Sequence, residues 1–163
     1  MDCQHFINAD AIAAGLNPIN PEAETFYASR IYLNEIQSAI KSGKDFGFET
    51  TLSGRSYLQL IQQLKANGWW VELIYLALPS VEYSHERVKE RVLAGGHSIQ
   101  PEDIDRRFSK SLRNLLVEFS ETADRTRCFI NDTKVLSLIY TQTIEGRQIA
   151  HGDYYAQLVK QSK

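Results

Sequence analysis

One stretch of the chain, Phe46–Arg55, limits the possible folds more than any other segment. It starts as an apolar strand, stops at Glu49, Thr50 and Thr51, and runs through a glycine-containing turn into a helical pattern that begins at Tyr57. Open α/β sheets bind ligands at the carboxyl ends of their parallel strands. The stretch therefore predicts a ligand site at a strand end, and the alternative is a strand end with ordinary turn polarity.

A second carboxylate follows an apolar pair near the start of the chain, where Phe6-Ile7 leads to Asp10. Because the ends of parallel strands share one edge of a sheet, Asp10 and Glu49 are expected at the same edge. A carboxylate there could accept a proton from a substrate hydroxyl. The alternative for Asp10 is a cap of the helical residues 11–14. A buried Glu49 would need a partner such as Arg55.

Strands alternate with helices along the chain, which predicts a three-layer α/β fold with a mainly parallel sheet. A helix is expected from Asn20, its N-cap, to Gly43. Its apolar positions at helical spacing are Phe26, Leu33, Ile36 and Ile40. The nearly continuous apolar run Trp69–Leu78 predicts a strand that is buried on both faces.

The second half of the chain is expected to form two arginine-bearing helices around a Gly-Gly-His break. This break, residues 94–101, is typical of a mobile flap over a site. The second helix is expected over about residues 102–122, with the apolar stripe Ile104, Phe108, Leu112, Leu115 and Phe119. After a strand at Cys128–Ile130, a hairpin and a short helix are expected over residues 134–163. We therefore expect one domain, residues 1–163, with its core at about residues 5–133.

Four arginines flank the predicted flap: Arg87, Arg91, Arg106 and Arg107. Arginines on a flap suit phosphoryl oxygens, and the alternative for Arg106 and Arg107 is a solvated helix face. Together with the strand-end carboxylates and hydroxyls, they indicate a small-molecule kinase.

Composition excludes several other classes of protein. The net charge of −2 gives no sign of binding to nucleic acid or to an anionic membrane. Two cysteines are too few for a disulfide framework, and no pair of residues has zinc-ligand spacing, so no metal ligand is assigned. The longest apolar run is too short to span a bilayer, and the N-terminus shows no export signal. We therefore expect a cytoplasmic protein.

Several of these segments together resemble the zeta-toxin family of P-loop kinases, most closely its stand-alone "predicted ABC-type ATPase" branch. The resemblance covers about residues 5–133 and rests on four segments in the family's order: Asn8-Ala9-Asp10, the block from Phe48 to Arg55, Glu90 to His97, and Arg106 to Asn114. The block Glu49-Thr50-Thr51-Leu52-Ser53-Gly54-Arg55 is the most specific of them. The fold that the resemblance implies is P-loop NTPase-like.

Zeta toxins phosphorylate UDP-N-acetylglucosamine with ATP and Mg²⁺, so the resemblance implies these cofactors and a nucleotide-sugar substrate. It implies that Asp10 is the base and that Arg91, with Arg106 or Arg107, clamps phosphates. It further implies that Glu49, Thr50, Thr51 and Arg55 line the substrate side, and Arg87 and Asn131 are expected on the cofactor side. The resemblance also adds an antitoxin protein to the candidate partners.

One family segment is missing from these residues. A phosphate-binding loop of the form Gly-x-x-x-x-Gly-Lys-Ser/Thr is absent, because the only Gly-Lys pair, Gly43-Lys44, lacks the earlier glycine and is followed by Asp45. In the family this loop would precede residue 5, so we expect an N-terminally truncated form that is inactive. Two alternatives stay open: a non-catalytic remnant that binds a nucleotide sugar or a protein, and an ATPase or kinase of another small molecule.

Overall fold

The computed structural model describes residue 3 and residues 5–93, 98–131 and 136–163. The chain divides into two compact units, Met1–Thr50 and Thr51–Lys163, called here the N-terminal and C-terminal units. The predicted flap at Gly95, Gly96 and His97 lies outside the described residues. The organisation as one domain stays a prediction.

The N-terminal unit contains a two-stranded parallel sheet and two α-helices. Its elements are β1 (Phe6–Ile7), α1 (Ala9–Leu16), a 3₁₀ turn (Pro21–Glu24), α2 (Thr25–Ser42) and β2 (Gly47–Phe48). The strands pair in parallel, with Phe6 opposite Gly47 and Ile7 opposite Phe48. Their carboxyl ends therefore lie at one edge of this sheet.

Helix α2 ends as the sequence predicts but turns a different face inward. Gly43 stops it in the left-handed region, at a φ of 65° that glycine adopts without strain. The buried positions are Ala28, Tyr32, Ile36 and Ala39. Two of the apolar positions at helical spacing, Phe26 and Leu33, do not face the core, since they are 68% and 54% exposed. Each residue advances by about 100° around a helix, so positions 26 and 33 point away from the face that residues 28, 32 and 36 share.

The C-terminal unit is built on a four-stranded sheet with the strand order β3-β4-β5-β6. Strands β3 and β4 are parallel, whereas β5 runs antiparallel to both β4 and β6. The elements of this unit are α3 (Ser56–Ala66), β3 (Glu72–Ala77), α4 (Val81–Leu93), α5 (Pro101–Asn114), a π-helical turn (Leu115–Phe119), α6 (Ser120–Thr122), β4 (Arg125–Asn131), β5 (Leu136–Thr143), β6 (Gly146–Ile149) and α7 (Gly152–Gln161).

The core of this unit lies between one face of the sheet and the helices α3, α5 and α7. The largest buried side chains of the core are Phe119, Leu112, Leu115, Tyr140 and Ile139. The predicted apolar stripe of the long helix faces this core, and Phe108 packs against it while partly exposed. The predicted long helix is interrupted by the π-helical turn, which no sequence pattern indicated.

Strand β3 is buried on one face only, which corrects the expectation of burial on both. Ile74 and Leu76 are each 53% exposed, whereas Leu73, Tyr75 and Ala77 pack against the core. A continuous apolar run does not reveal how many faces of a strand are covered, because alternation is lost when apolar side chains also occupy the open face.

The predicted α/β class is confirmed, because parallel strand pairs occur together with helices in both units. The predicted C-terminal hairpin is also present as β5 and β6, with Thr143 opposite Gly146. No helix among the described residues is both long and apolar enough to cross a bilayer.

Candidate functional site

In the N-terminal unit, the two strand ends are joined by a hydrogen bond between Asn8 and Glu49. The Asn8 Nδ2 group donates to Glu49 Oε2 at 2.6 Å. The Asn8 Oδ1 atom accepts from the backbone N–H of Ala11 at 2.9 Å, so the same side chain caps helix α1. A second bond fixes the main chain here, because the Tyr32 hydroxyl donates to the Glu49 carbonyl at 2.7 Å. Asn8 therefore orients the carboxylate, a role that its sequence position alone did not reveal.

The structure corrects two expectations about Glu49. The residue is exposed rather than buried. Its carboxylate is bonded to Asn8, whereas the Arg55 guanidinium pairs with Glu118. The expected Glu49–Arg55 partnership is therefore wrong, because each group has a different partner. An exposed carboxylate held by one amide keeps lone pairs that a ligand hydroxyl can use.

Asp10 is the second residue of α1 and is exposed. The alternative that it caps the helix is wrong, because Asn8 occupies the N-cap position and accepts the bond from Ala11. No hydrogen bond or ion pair joins the Asp10 carboxylate to another described residue. Its carboxylate near the helix N-terminus is in a favourable field for negative charge.

In the C-terminal unit, the residues Thr51–Arg55 form a loop that we call the polar turn. Its second residue, Leu52, has a φ of 56°, and it is the only residue other than glycine with positive φ among the described residues. The Leu52 side chain is 3% exposed and belongs to the core cluster. The Thr51 and Ser53 hydroxyls lie 2.9 Å apart, and Thr51 is exposed. The turn therefore presents hydroxyls outward while a leucine anchors it inward.

Two buried side chains of α5 bond to the main chain of the polar turn. Ser111 Oγ donates to the Thr51 carbonyl at 2.9 Å, and Asn114 Nδ2 donates to the Leu52 carbonyl at 2.7 Å. Ser111 is 6% and Asn114 3% exposed. These residues are 60 and 62 positions away along the chain, so local sequence patterns could not predict the bonds.

Of the arginines expected around the flap, Arg87 and Arg91 lie on α4 and are exposed. Arg106 is also exposed and donates to Asp103 on the same helix at 2.6 Å. This hydrogen bond lowers the pKa of the Asp103 carboxyl below its ordinary value. Arg107 is half-buried.

The two arginine-bearing helices are joined to each other by a separate contact. His85 Nε2 on α4 lies 2.6 Å from Asp105 Oδ1 on α5. This bond ties together the helices on either side of residues 94–97.

The remaining predicted site residues, Thr50 and Asn131, are both half-buried. Asn131 is the last residue of β4 and pairs with Leu136 of β5. Thr50 is the last residue of the N-terminal unit, and Thr51 begins the C-terminal unit.

A nucleoside triphosphate with Mg²⁺ is commonly held by a phosphate-binding loop and by metal ligands. No group of three His, Cys, Asp or Glu side chains suitable for a metal ion occurs in the described part of the chain. The 163 residues also lack the Gly-Lys-Ser/Thr loop that cradles phosphates. The exposed arginines suit phosphoryl oxygens.

Comparison with known proteins identifies the family. The zeta toxin family model matches residues 23–144, which include the polar turn, the arginines of α4 and α5 and Asn131, while Asp10 precedes the match. An uncharacterised protein of Haemophilus influenzae is 37% identical over 105 residues, which are 64% of this chain and 75% of that protein. No solved structure matches the chain. The chain therefore belongs to the zeta toxin family, whose fold is that of a P-loop kinase.

Proposed function

We propose that the chain carries the acceptor side of a phosphotransferase, with a nucleotide sugar such as UDP-N-acetylglucosamine as acceptor and ATP with Mg²⁺ as donor. The observation that carries this proposal is the polar turn. Leu52 anchors this loop in the core, while its hydroxyls and Arg55 point outward. The loop lies inside the segment that matches the zeta toxin family. Loops with oriented hydroxyls and a guanidinium suit a ligand that offers both sugar hydroxyls and a diphosphate.

In this proposal, the carboxylates, Thr51 and the arginines among the predicted site residues have roles that their chemistry supports. Asp10 accepts the proton of the acceptor hydroxyl, because it is an exposed carboxylate with no described partner that competes for its oxygens. Glu49, oriented by Asn8, accepts a hydrogen bond from a sugar hydroxyl. Thr51 and Arg55 bind the nucleotide sugar, Arg91 with Arg106 or Arg107 holds phosphoryl oxygens, and Arg87 belongs to the cofactor side.

A second candidate is a protein that binds a nucleotide sugar without transferring phosphate to it. One observation favours it: the 163 residues contain no Gly-x-x-x-x-Gly-Lys-Ser/Thr loop. Phosphoryl transfer depends on positioning and charge neutralisation, so a chain without these parts would bind the acceptor only.

Isothermal titration calorimetry with UDP-N-acetylglucosamine and with Mg²⁺–ATP, together with chromatography of the products, separates the two candidates. Binding of both ligands and a phosphorylated sugar would support the kinase. Binding of the nucleotide sugar alone would support the second candidate. No binding of the nucleotide sugar would contradict both.

Two variants make this experiment specific to the polar turn. Arg55→Ala should weaken nucleotide-sugar binding about tenfold, because a charge-assisted hydrogen bond is lost. Arg113→Ala is the matched control, since Arg113 is an exposed arginine on α5 without an assigned role. Equal affinities of the two variants would remove Arg55 from the site.

A further inference from the structure

We propose that Ser111 and Asn114 of α5 are positioning residues that hold the polar turn in its ligand-binding conformation. The ligand class in this inference rests on the proposed function, whereas the contacts that carry it do not. Neither residue has a role in the site as predicted from the sequence. Both act through the main chain of Thr51 and Leu52 and do not touch a substrate themselves.

The polar turn needs external support because of the backbone of Leu52. A φ of 56° brings the Cβ of an L-residue close to its own carbonyl, which only glycine avoids. Such conformations persist only where the surrounding structure enforces them, and they concentrate at ligand sites. Here the side chain is sequestered in the core at 3% exposure, and the carbonyls on either side of the strained φ are bonded by α5.

The direction of the hydrogen bonds in this support follows from proton counting. The Ser111 hydroxyl has one proton, which it donates to the Thr51 carbonyl, so it must accept from the Tyr75 hydroxyl 2.9 Å away. Burial raises the pKa of Tyr75 to about 12, so the phenol keeps its proton at neutral pH. The chain of bonds therefore runs in one direction, from Tyr75 through Ser111 to the turn.

A third contact joins the same helical segment to the end of the turn. Arg55 pairs with Glu118, which lies in the π-helical turn that continues α5. The three contacts therefore follow the same order along both segments: position 111 contacts 51, position 114 contacts 52, and position 118 contacts 55. Spacings of three and four residues lie along one face of a helix, so a single face holds the whole turn. The same helix carries Arg106 and Arg107 one to two turns earlier, which links the turn to the proposed phosphate-binding arginines.

Amide hydrogen exchange of residues 51–55 tests the positioning role directly. In Ser111→Ala and Asn114→Ala, exchange in the polar turn should accelerate about tenfold or more, because each variant removes one hydrogen bond to its main chain. Ser109→Ala is the matched control on the same helix, since the Ser109 hydroxyl donates within α5, to the Asp105 carbonyl at 3.4 Å. Unchanged exchange in both variants would overturn the proposal.

A second measurement separates positioning from general stability. At a temperature where all variants are folded, nucleotide-sugar affinity should fall about tenfold in Ser111→Ala and Asn114→Ala but not in Ser109→Ala. Ser111→Thr, which retains a hydroxyl, should restore much of the affinity. If the polar turn loosens in both variants while their affinity for the nucleotide sugar equals that of the wild-type protein, the positioning role is overturned.

The outcomes also distinguish this proposal from the proposed function. If the wild-type protein binds no nucleotide sugar while both variants loosen the turn, the proposed ligand is wrong and the support of the turn by α5 stands. If Asn114→Ala fails to fold, Tyr75→Phe keeps the test decisive, because it removes only the bond donated to Ser111. Amide exchange in the polar turn should be faster in Tyr75→Phe than in the wild-type protein, but slower than in Ser111→Ala. If the turn of Tyr75→Phe exchanges no faster than that of the wild-type protein, the result counts against the proposal.

Discussion

Glu72 is a carboxylate with two arginine partners on the open face of β3. Its side chain is 6% exposed and accepts two bonds from Arg125, at 2.8 and 3.0 Å, and one from Arg127 at 2.6 Å. Burial alone would raise the pKa of Glu72, but the hydrogen bonds and charges of the two arginines outweigh it and hold the pKa below the ordinary value. Arg125 also lies over the ring of Trp70, at 4.9 Å from its centroid.

We expect Glu72→Gln to reduce the free energy of unfolding by about 2 kcal/mol at neutral pH, because two arginines lose their charged partner. The folded-state pKa lies below the unfolded value, so the folded protein binds fewer protons and stability falls as pH is lowered. The difference in the free energy of unfolding between wild type and variant should therefore be largest above the ordinary pKa of 4.5. It should vanish as the pH falls through the lower pKa that Glu72 has in the folded protein. Urea unfolding at several pH values measures it, with the exposed Glu86→Gln as control. A difference that persists at pH values well below the folded pKa would contradict this assignment.

Asp10 provides a prediction about chemistry rather than stability. In a form of the protein that carries the phosphate-binding loop, Asp10→Asn should lower the rate of phosphoryl transfer at least about a hundredfold while nucleotide-sugar affinity stays within about twofold, because only the proton acceptor is removed. Asp153→Asn is a matched control, since Asp153 is also an exposed second residue of a helix, α7. Product formation measured by chromatography decides, and full activity of Asp10→Asn would exclude Asp10 as the base.

At the scale of elements, α4 and α5 are held together by the bond between His85 and Asp105. The Asp105 side chain is 59% exposed and that of His85 26%, so water competes for this pair. Exposed polar contacts contribute little to global stability, but this one lies between two helices and connects them.

Asp105→Asn should change the free energy of unfolding by less than about 1 kcal/mol, yet it should accelerate amide exchange in α4. Asp103→Asn is the control, because the Asp103–Arg106 pair lies within α5 and joins no second helix. Mass spectrometry after deuterium labelling measures the exchange. Equal exchange of α4 in the two variants would show that the His85 contact does not hold the helices together.

An element could be predicted from the sequence where neighbouring residues determine it, and not where residues distant in sequence contact it. The end of α2 at Gly43 and the β5–β6 hairpin follow from local residues, and both were predicted. The π-helical turn was not predicted, and one of its contacts comes from a residue distant in sequence. Arg147 of β6 donates to the Leu116 carbonyl at 3.0 Å and also to Gln142 and Tyr155. Likewise, the strand-end position of Glu49 was predictable, while its Asn8 partner, 41 residues away, was not.

At the scale of the whole molecule, the two units bury very different cores. Among the described residues of the N-terminal unit, three of the six buried apolar residues are alanines, Ala13, Ala28 and Ala39, and the larger ones are Ile7, Tyr32 and Ile36. The C-terminal unit buries a cluster of larger side chains around Phe119 and Tyr140. Because stabilisation scales with the apolar area that is buried, the N-terminal unit by itself has the weaker core.

We therefore expect amides of α2 to exchange at least about tenfold faster than those of β4, because local unfolding costs less where less apolar surface is buried. Hydrogen exchange of the intact chain, followed by mass spectrometry and corrected with rates from the unfolded chain, measures this difference. Equal protection of α2 and β4 would contradict the expectation and indicate that both units open together.

Strand β3 has a consequence for handling the protein. In the sheet of the described residues it is an edge strand, and it exposes Ile74 and Leu76. An apolar edge strand is a template on which another chain can add a strand, so we expect concentration-dependent self-assembly on warming. Leu76→Lys should suppress the light scattering that reports it, whereas Val117→Lys, at a 63% exposed helical position, should not. Strand β3, at the edge of this sheet, would then also set the highest concentration at which the protein stays in solution.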